Sequence, residues 1–167
     1  VFAVTTTTDG RDADPGDGVC EVTLGADDCS LRAAIDEANV SAVVAVVSVP
    51  SDRYVLSLVG VDDDNAGGDP DLAPVAGSVV LEQAGGDGFA IDASAADGGI
   101  DIVSGSVIAF GVGIGGAAGD GLHIRGGASG VFSFSSFHGN GGAGVRVDAG
   151  AQAQLLTATV SGNGAGG

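Results

Sequence analysis

The sequence predicts an all-β fold, a right-handed parallel β-helix with a short N-terminal capping α-helix. Three observations support this solenoid. Short β-branched runs divided by glycine follow residue 43. Two segments near the C-terminus repeat at a fixed offset, which indicates coils of about 23 residues. The 167 residues include 32 glycines but no tryptophan or methionine, so the core must be built in thin aliphatic layers.

Residues 1–42 are expected to form a capping segment, and residues 43–167 a single β-helical unit. The capping segment opens with a predicted strand over Val1–Thr8, followed by an acidic, glycine-rich loop over Asp9–Gly18. A β-helix needs such a segment because the strands of a terminal coil otherwise expose unpaired backbone.

The two cysteines, Cys20 and Cys29, lie nine positions apart and form no Cys-x-x-Cys motif. A disulfide that closes a small loop is the simplest interpretation. The chain also begins at Val1, as expected of a mature form after removal of a signal peptide. Both features predict an extracellular or cell-surface protein.

One amphipathic helix is predicted after the disulfide loop, over Ser30–Val40, with Ser30 as the N-cap. A helix this short needs docking, so we expect its apolar face to plug one end of the β-structure. The apolar face consists of Leu31, Ala34, Ile35 and Ala38, and the opposite face of Arg32, Asp36 and Glu37.

Short apolar runs then predict successive strands. They are interrupted by an acidic loop over Asp62–Asp71. The predicted strands are Val43–Val49, Arg53–Val59, Val79–Leu81, Phe89–Ile91, Ile100–Val103 and Val107–Phe110.

The C-terminal repeat aligns Leu122–Arg125 with Val145–Asp148. It also places Asn140 above Asn163, where stacked amides can form an asparagine ladder; the alternative is two ordinary Asn-Gly turns. Because side chains alternate along a strand, the aligned apolar residues are expected to point inward, Phe134 included. The other aligned pairs are Phe132 with Leu155, Phe134 with Thr157, and Phe137 with Val160.

The run Cys29–Ile35, Cys-Ser-Leu-Arg-Ala-Ala-Ile, followed by Ala38-Asn39, resembles the CSLREA-type domain of exported bacterial and archaeal β-helix proteins. Val4–Gly10, Pro15–Cys20 and Asn65–Asp69 are also similar to that family. The resemblance implies an exported, surface-associated β-helix capped by a helix. At Ala33 the family has glutamate, which we expect on the helix surface. Later residues resemble only pectate-lyase-like right-handed β-helices.

The formal net charge is -17, from 22 acidic residues and five basic ones, all arginine. Such a surface repels phosphates, so no nucleic-acid partner is expected. The longest apolar run, Val40–Val49, is too short to span a membrane.

The acidic loop is a candidate calcium site, because Ca²⁺ takes six to eight oxygen ligands; the alternative is a solvated loop. A weaker candidate is the N-terminal loop, with Asp9, Asp12, Asp14 and Asp17. The calcium ligands proposed for the first loop are Asp62, Asp63, Asp64, Asp69 and Asp71.

The sequence therefore predicts a non-enzymatic structural or adhesive protein that contacts other cell-surface components and stacks head to tail into extracellular filaments. The alternative is a polysaccharide lyase or hydrolase, or a carbohydrate-binding module, with glycans as partners. Its best active site would be Arg125 and Arg146 with His123 and Asp148, although such charges on stacked coils commonly only offset one another.

Overall fold

The structure, a computed structural model, describes residues 1–60, 65 and 67–165. Within that part the chain forms one α-helix and fifteen strands. In chain order they are β1 (Phe2–Ala3), α1 (Leu31–Val40), β2 (Ala45–Pro50), β3 (Arg53–Val55), β4 (Asp71–Leu72), β5 (Ser78–Ala84), β6 (Phe89–Asp92), β7 (Ile100–Ile102), β8 (Ser106–Phe110), β9 (Val112–Gly115), β10 (Leu122–Ile124), β11 (Ser129–Ser133), β12 (Ser136–His138), β13 (Val145–Val147), β14 (Gln152–Leu156) and β15 (Thr159–Ser161).

The strands form three sheets whose pairs are all parallel. The first sheet has the order β1-β2-β5-β8-β11-β14, the second β3-β6-β9-β12-β15, and the third β4-β7-β10-β13. From β2 onward the chain visits the first, second and third sheets in turn, and each visit adds one strand beside the previous one. The mostly-β prediction is confirmed, and the arrangement is consistent with a parallel β-helix.

The predicted period holds in the C-terminal coils. Ser106 pairs with Ser129, and Ser129 pairs with Gln152, so both steps have the length of the sequence repeat. Earlier steps are longer, since Ala45 pairs with Val79. The extra residues lie outside the described strands, where insertions leave the strand register intact.

A corner between the first and second sheets repeats with the same period. Gly88 and Gly111 occupy it in two coils with φ of 78° and 70°. Phe134 and Thr157 occupy it in the next two, with φ of 54° and 52°. Glycine adopts this left-handed conformation without strain, whereas a bulky side chain does so at a cost.

The core is a stack of inward side chains between the three sheets. In the first sheet Val47, Leu81, Ala109 and Phe132 follow one another in register, and each is fully buried. The Phe132 ring packs edge to face on Phe137 of the second sheet, with centroids 5.7 Å apart. Small and large residues alternate along the stack, so neighbouring layers interlock.

The predicted strand over Val1–Thr8 shortens to the two residues of β1. Beyond it the backbone leaves the sheet: Thr5 N donates to Cys29 O at 2.8 Å, which ties the segment to the disulfide loop instead. The predicted disulfide between Cys20 and Cys29 is present and closes that loop.

The helix prediction is confirmed in its bounds and its cap, because the Ser30 side chain accepts a hydrogen bond from Ala33 N. The apolar face is buried as predicted. The opposite face is buried as well, which the sequence did not indicate, and Ala33 is fully buried rather than on the helix surface. The charged residues Arg32, Asp36 and Glu37 lie beneath the N-terminal loop, where Glu37 accepts hydrogen bonds from Gly16 N and Gly18 N.

Arg32 joins three segments of the chain. Its side chain is only 1% exposed, and Nε donates to Asp9 Oδ1 at 2.8 Å. The terminal nitrogens donate to the carbonyl oxygens of Asn65 at 3.2 Å and Gly68 at 2.8 Å. The guanidinium thus fixes the N-terminal loop, Asn65 and Gly68 to the helix, and the buried charge is balanced by hydrogen bonds from both sides.

Candidate functional site

A column of charged side chains lies on the outward face of the third sheet. Residues Asp71, Asp101, His123 and Arg146 are in register across its four strands. Their neighbours, such as Ile102 and Ile124, point into the core. Since side chains alternate along a strand, the inward packing of those neighbours directs the charged residues outward.

The basic side chains of this face lie beside carboxylates. His123 Nδ1 lies 3.1 Å from Asp101 Oδ1, and His123 Nε2 lies 3.1 Å from Asp148 Oδ2. Arg125 Nε donates to Asp101 Oδ2 at 2.9 Å, and Arg146 Nε lies 3.4 Å from Asp148 Oδ1. In the cluster proposed from the sequence as the best active site, arginine–aspartate pairs and the close approach of His123 to two carboxylates therefore connect neighbouring coils.

The nearby His123 imidazole holds the pKa of the Asp148 carboxyl below its ordinary value, and Arg146 acts in the same direction. Asp148 therefore stays ionised at neutral pH. A carboxylate in this state balances charge but is a weak proton acceptor, which is the opposite of the tuning expected for a general base.

Two of the proposed calcium ligands lie at the start of this column. Asp69 and Asp71 are buried beside Asp101, and the three residues bring carboxylate oxygens within 4.8 Å of one another. Asp71 Oδ2 also accepts a hydrogen bond from Asn65 N at 3.0 Å. Three further proposed ligands, Asp62, Asp63 and Asp64, lie outside the described residues.

Asp101 was not among the ligands predicted from the sequence. It pairs with Asp71 across a lengthened coil, so the period of the C-terminal repeat does not align the two. The only sequence signal was the Ile-Asp-Ile pattern of β7, which places one carboxylate on the outward face between two core residues.

Burial raises the pKa of Asp69 to about 7, and repulsion from Asp101, Asp71 and Asp97 adds to the effect. Oδ1 of Asp97 is itself buried, with no hydrogen-bond partner among the described residues. Concentrated carboxylate oxygens of this kind are the ligand type that Ca²⁺ prefers. The residues present therefore fit a hard cation, which would relieve the repulsion that raises the pKa of Asp69.

The acidic N-terminal loop uses its carboxylates differently. Asp9 binds Arg32 and accepts hydrogen bonds from Ser57 N at 2.7 Å and Leu58 N at 2.9 Å. Asp12 accepts from the backbone nitrogens of Asp14 and Glu21. These side chains hold the loop in place, and within the part of the chain that the structure describes only the Asp69–Asp71–Asp101 group is close enough to share an ion.

The structure places Asn140 above Asn163 at the corner after the second sheet. Asn140 Nδ2 donates to Asn163 Oδ1 at 3.0 Å, and Asn140 Oδ1 accepts from Ala117 N of the preceding coil at 3.1 Å. Asn163 Nδ2 donates to Phe137 O at 3.1 Å. The two amides therefore link three successive coils.

A groove runs along the outward face of the second sheet. Its floor consists of Ala90, Gly113 and Ser136, which are in register on β6, β9 and β12. One wall is formed by the rings of Phe110 and Phe134, which are 40% and 71% exposed. The groove encloses about 890 Å³.

The prediction that Phe134 points inward is therefore wrong. The alternation of side chains applies within a strand, but Phe134 occupies the left-handed corner between β11 and β12, with φ of 54°. This corner conformation turns its ring to solvent. Phe132 and Phe137, which lie within strands, point inward as predicted.

Comparisons with protein-family models, curated proteins and solved structures found no match for this chain. The helix α1 has ten residues, and in the described ranges no helix is long and apolar enough to cross a membrane. Function is therefore inferred from the side chains described above.

Proposed function

We propose that this chain is a right-handed parallel β-helix that serves as a non-catalytic structural or adhesive element outside the cell. The parallel crossovers between successive strands of each sheet support the proposed handedness, because such connections are right-handed in nearly all proteins. The disulfide and the resemblance of Cys29–Ile35 to the CSLREA-type domain support export.

The observation that carries the structural role is the way polar side chains connect the coils. His123 bridges Asp101 and Asp148 on the coils either side of it, and the asparagine pair does the same at a neighbouring corner. Each exposed ion pair contributes at most about 1 kcal/mol, yet together they restrain the coils against one another. This arrangement suits a stiff rod.

The proposed self-association involves the coil formed by β13, β14 and β15. Strands β13, β14 and β15 end their sheets, so each has one edge unpaired within the described residues, and every residue of β14 is exposed. Leu155 continues the core stack of Phe132 but is 37% exposed. Unpaired strand edges over exposed apolar side chains favour the addition of another chain. We propose that this coil docks head to tail on the helix-capped N-terminal end of a second copy.

Sedimentation over a range of protein concentrations tests this stacking. The average mass of the wild type should grow with concentration, whereas Leu155→Lys should remain monomeric because a charge enters the stacked core. Phe110→Lys, at a similarly exposed apolar position on β8 in the middle of the first sheet, is the matched control and should behave as the wild type. A wild-type chain that is monomeric at every concentration would contradict the proposal.

We also propose that Asp69, Asp71 and Asp101 bind calcium. Ca²⁺ should raise the midpoint of thermal unfolding, because an ion that binds only the folded state adds about 2.7 kcal/mol of stability when its free concentration is 100 times its Kd. Asp71→Asn keeps an acceptor for Asn65 N but removes a charge, so it should abolish the rise. Asp87→Asn, at an exposed position, should leave the rise intact. An equal response in both variants would refute the site.

A further inference from the structure

We propose that the groove on the second sheet binds an extended segment of another protein that carries lysine or arginine side chains beside an apolar residue. The groove is defined by the floor Ala90, Gly113 and Ser136 and the aromatic wall Phe110 and Phe134. It lies on a different face from the charged column and from the last coil, so this proposal is independent of calcium binding and of stacking.

The floor determines what the groove can hold. Ala90, Gly113 and Ser136 project almost nothing from the sheet, and they follow one another across three strands. Three strands span about 10 Å, the length of roughly three extended residues. The floor is flat, so an extended chain can lie on it, and the polar groups of Asp52, Gln83, Asp87 and His138 stand around it.

Phe134 is the residue that the fold itself does not require. Gly88 and Gly111 occupy the same corner in the two preceding coils with similar backbone geometry. A phenylalanine there holds a strained left-handed conformation and exposes 71% of its surface to water. Together with Phe110 it forms an exposed apolar wall, a feature that marks interaction sites.

The charge around the groove selects a cation. Exposed carboxylates of Asp52 and Asp87 line it together with the two aromatic rings, and the imidazole of His138 lies on the opposite side. At the neighbouring edge Arg53 is paired with Asp92. The faces of aromatic rings carry partial negative charge, so rings beside carboxylates attract lysine and arginine side chains. The net charge of -17 adds long-range attraction.

A second copy of this chain cannot supply such cations readily. The sequence contains no lysine, and each of its five arginines already has a carboxylate partner. The pairs are Arg11 with Asp36, Arg32 with Asp9, Arg53 with Asp92, Arg125 with Asp101, and Arg146 with Asp120 and Asp148. The occupant is therefore a segment of a different, basic protein.

Fluorescence anisotropy with short labelled peptides tests the proposal. The probe alternates lysine and leucine, a second peptide replaces each lysine by glutamate, and a neutral glucan oligosaccharide serves as competitor. The key variant is Phe134→Gly, which restores the residue found at this corner in earlier coils and should fold as well as the wild type. Thr157→Gly makes the same backbone change one coil later, away from the groove lining.

The wild type and Thr157→Gly should bind the lysine peptide and not the glutamate peptide. Phe134→Gly should bind about tenfold more weakly, the loss expected for one cation–aromatic contact with its apolar surface. Asp87→Asn should also weaken binding and reduce its dependence on salt. Equal affinity in the wild type and Phe134→Gly would overturn the proposal, and so would a lysine peptide that does not bind at all. Displacement of the peptide by the glucan would also overturn it and would assign the groove to glycans.

Discussion

Replacing Asp69 with asparagine removes a buried carboxyl group that is costly to ionise. Burial and the nearby Asp101 and Asp71 raise its pKa from 3.8 to about 7 in the folded protein. The folded state therefore holds this proton more tightly than the unfolded state does. For a raised pKa of this kind, the stabilising contribution is complete below pH 3.8 and is lost as the pH rises through about 7.

The size of the effect follows from the same shift. Between pH 5 and pH 8 the wild type should lose about 3 kcal/mol of unfolding free energy that Asp69→Asn retains, because each pKa unit corresponds to about 1.4 kcal/mol. Urea denaturation monitored by circular dichroism at both pH values, with chelator present, measures this difference. Comparing the two chains cancels the titration of the groups that do not interact with Asp69.

Asp87→Asn makes the same chemical change at an exposed position and should follow the wild type at both pH values. Added Ca²⁺ should recover stability in the wild type at pH 8, since the ion neutralises the carboxylates. Parallel pH profiles for the wild type and Asp69→Asn would refute the reasoning, because they would show that Asp69 does not carry the raised pKa.

Three further substitutions test the fold. Arg32→Ala should lower the unfolding free energy by about 3–5 kcal/mol, because it leaves Asp9 buried without its cation. A decrease below about 1 kcal/mol in urea denaturation would contradict the network described for Arg32. Phe132→Ala should cost about 3–5 kcal/mol by opening a cavity beside Phe137, and a neutral result would show that the core is not packed as described. Asn140→Ala should cost about 1–3 kcal/mol of unfolding free energy, because Ala117 N loses its acceptor, whereas Ser94→Ala at an exposed turn should cost far less. Hydrogen exchange at Ala117 N should become faster in Asn140→Ala. Unchanged exchange would argue against the asparagine ladder.

Much of the repeat could be predicted from the sequence, because stacked coils force equivalent residues into register. Leu122 and Val145 pair as the sequence repeat requires. The earlier coils could not be aligned in the same way, since loops lengthen the step from Ala45 to its partner Val79. Sequence spacing then loses its relation to spatial position.

The helix and the sites show where local patterns fail. Arg32 has the spacing of a solvent-facing residue, but Asp9 and Asn65, which are distant in sequence, bury it. Asp101 joins Asp71 only through strand pairing across a lengthened coil. Phe134 breaks the alternation rule because it occupies a left-handed corner rather than a strand. Each failure comes from tertiary contacts between residues that are far apart in the sequence, which a short stretch of sequence cannot reveal.

Electron microscopy of the purified chain, with Ca²⁺ and with chelator, tests the central claim most directly. A structural β-helix that stacks through its last coil should form unbranched filaments at high protein concentration, with strands about 4.8 Å apart along the axis. Leu155→Lys should abolish them. Dispersed single particles of wild-type protein in both conditions would contradict the claim.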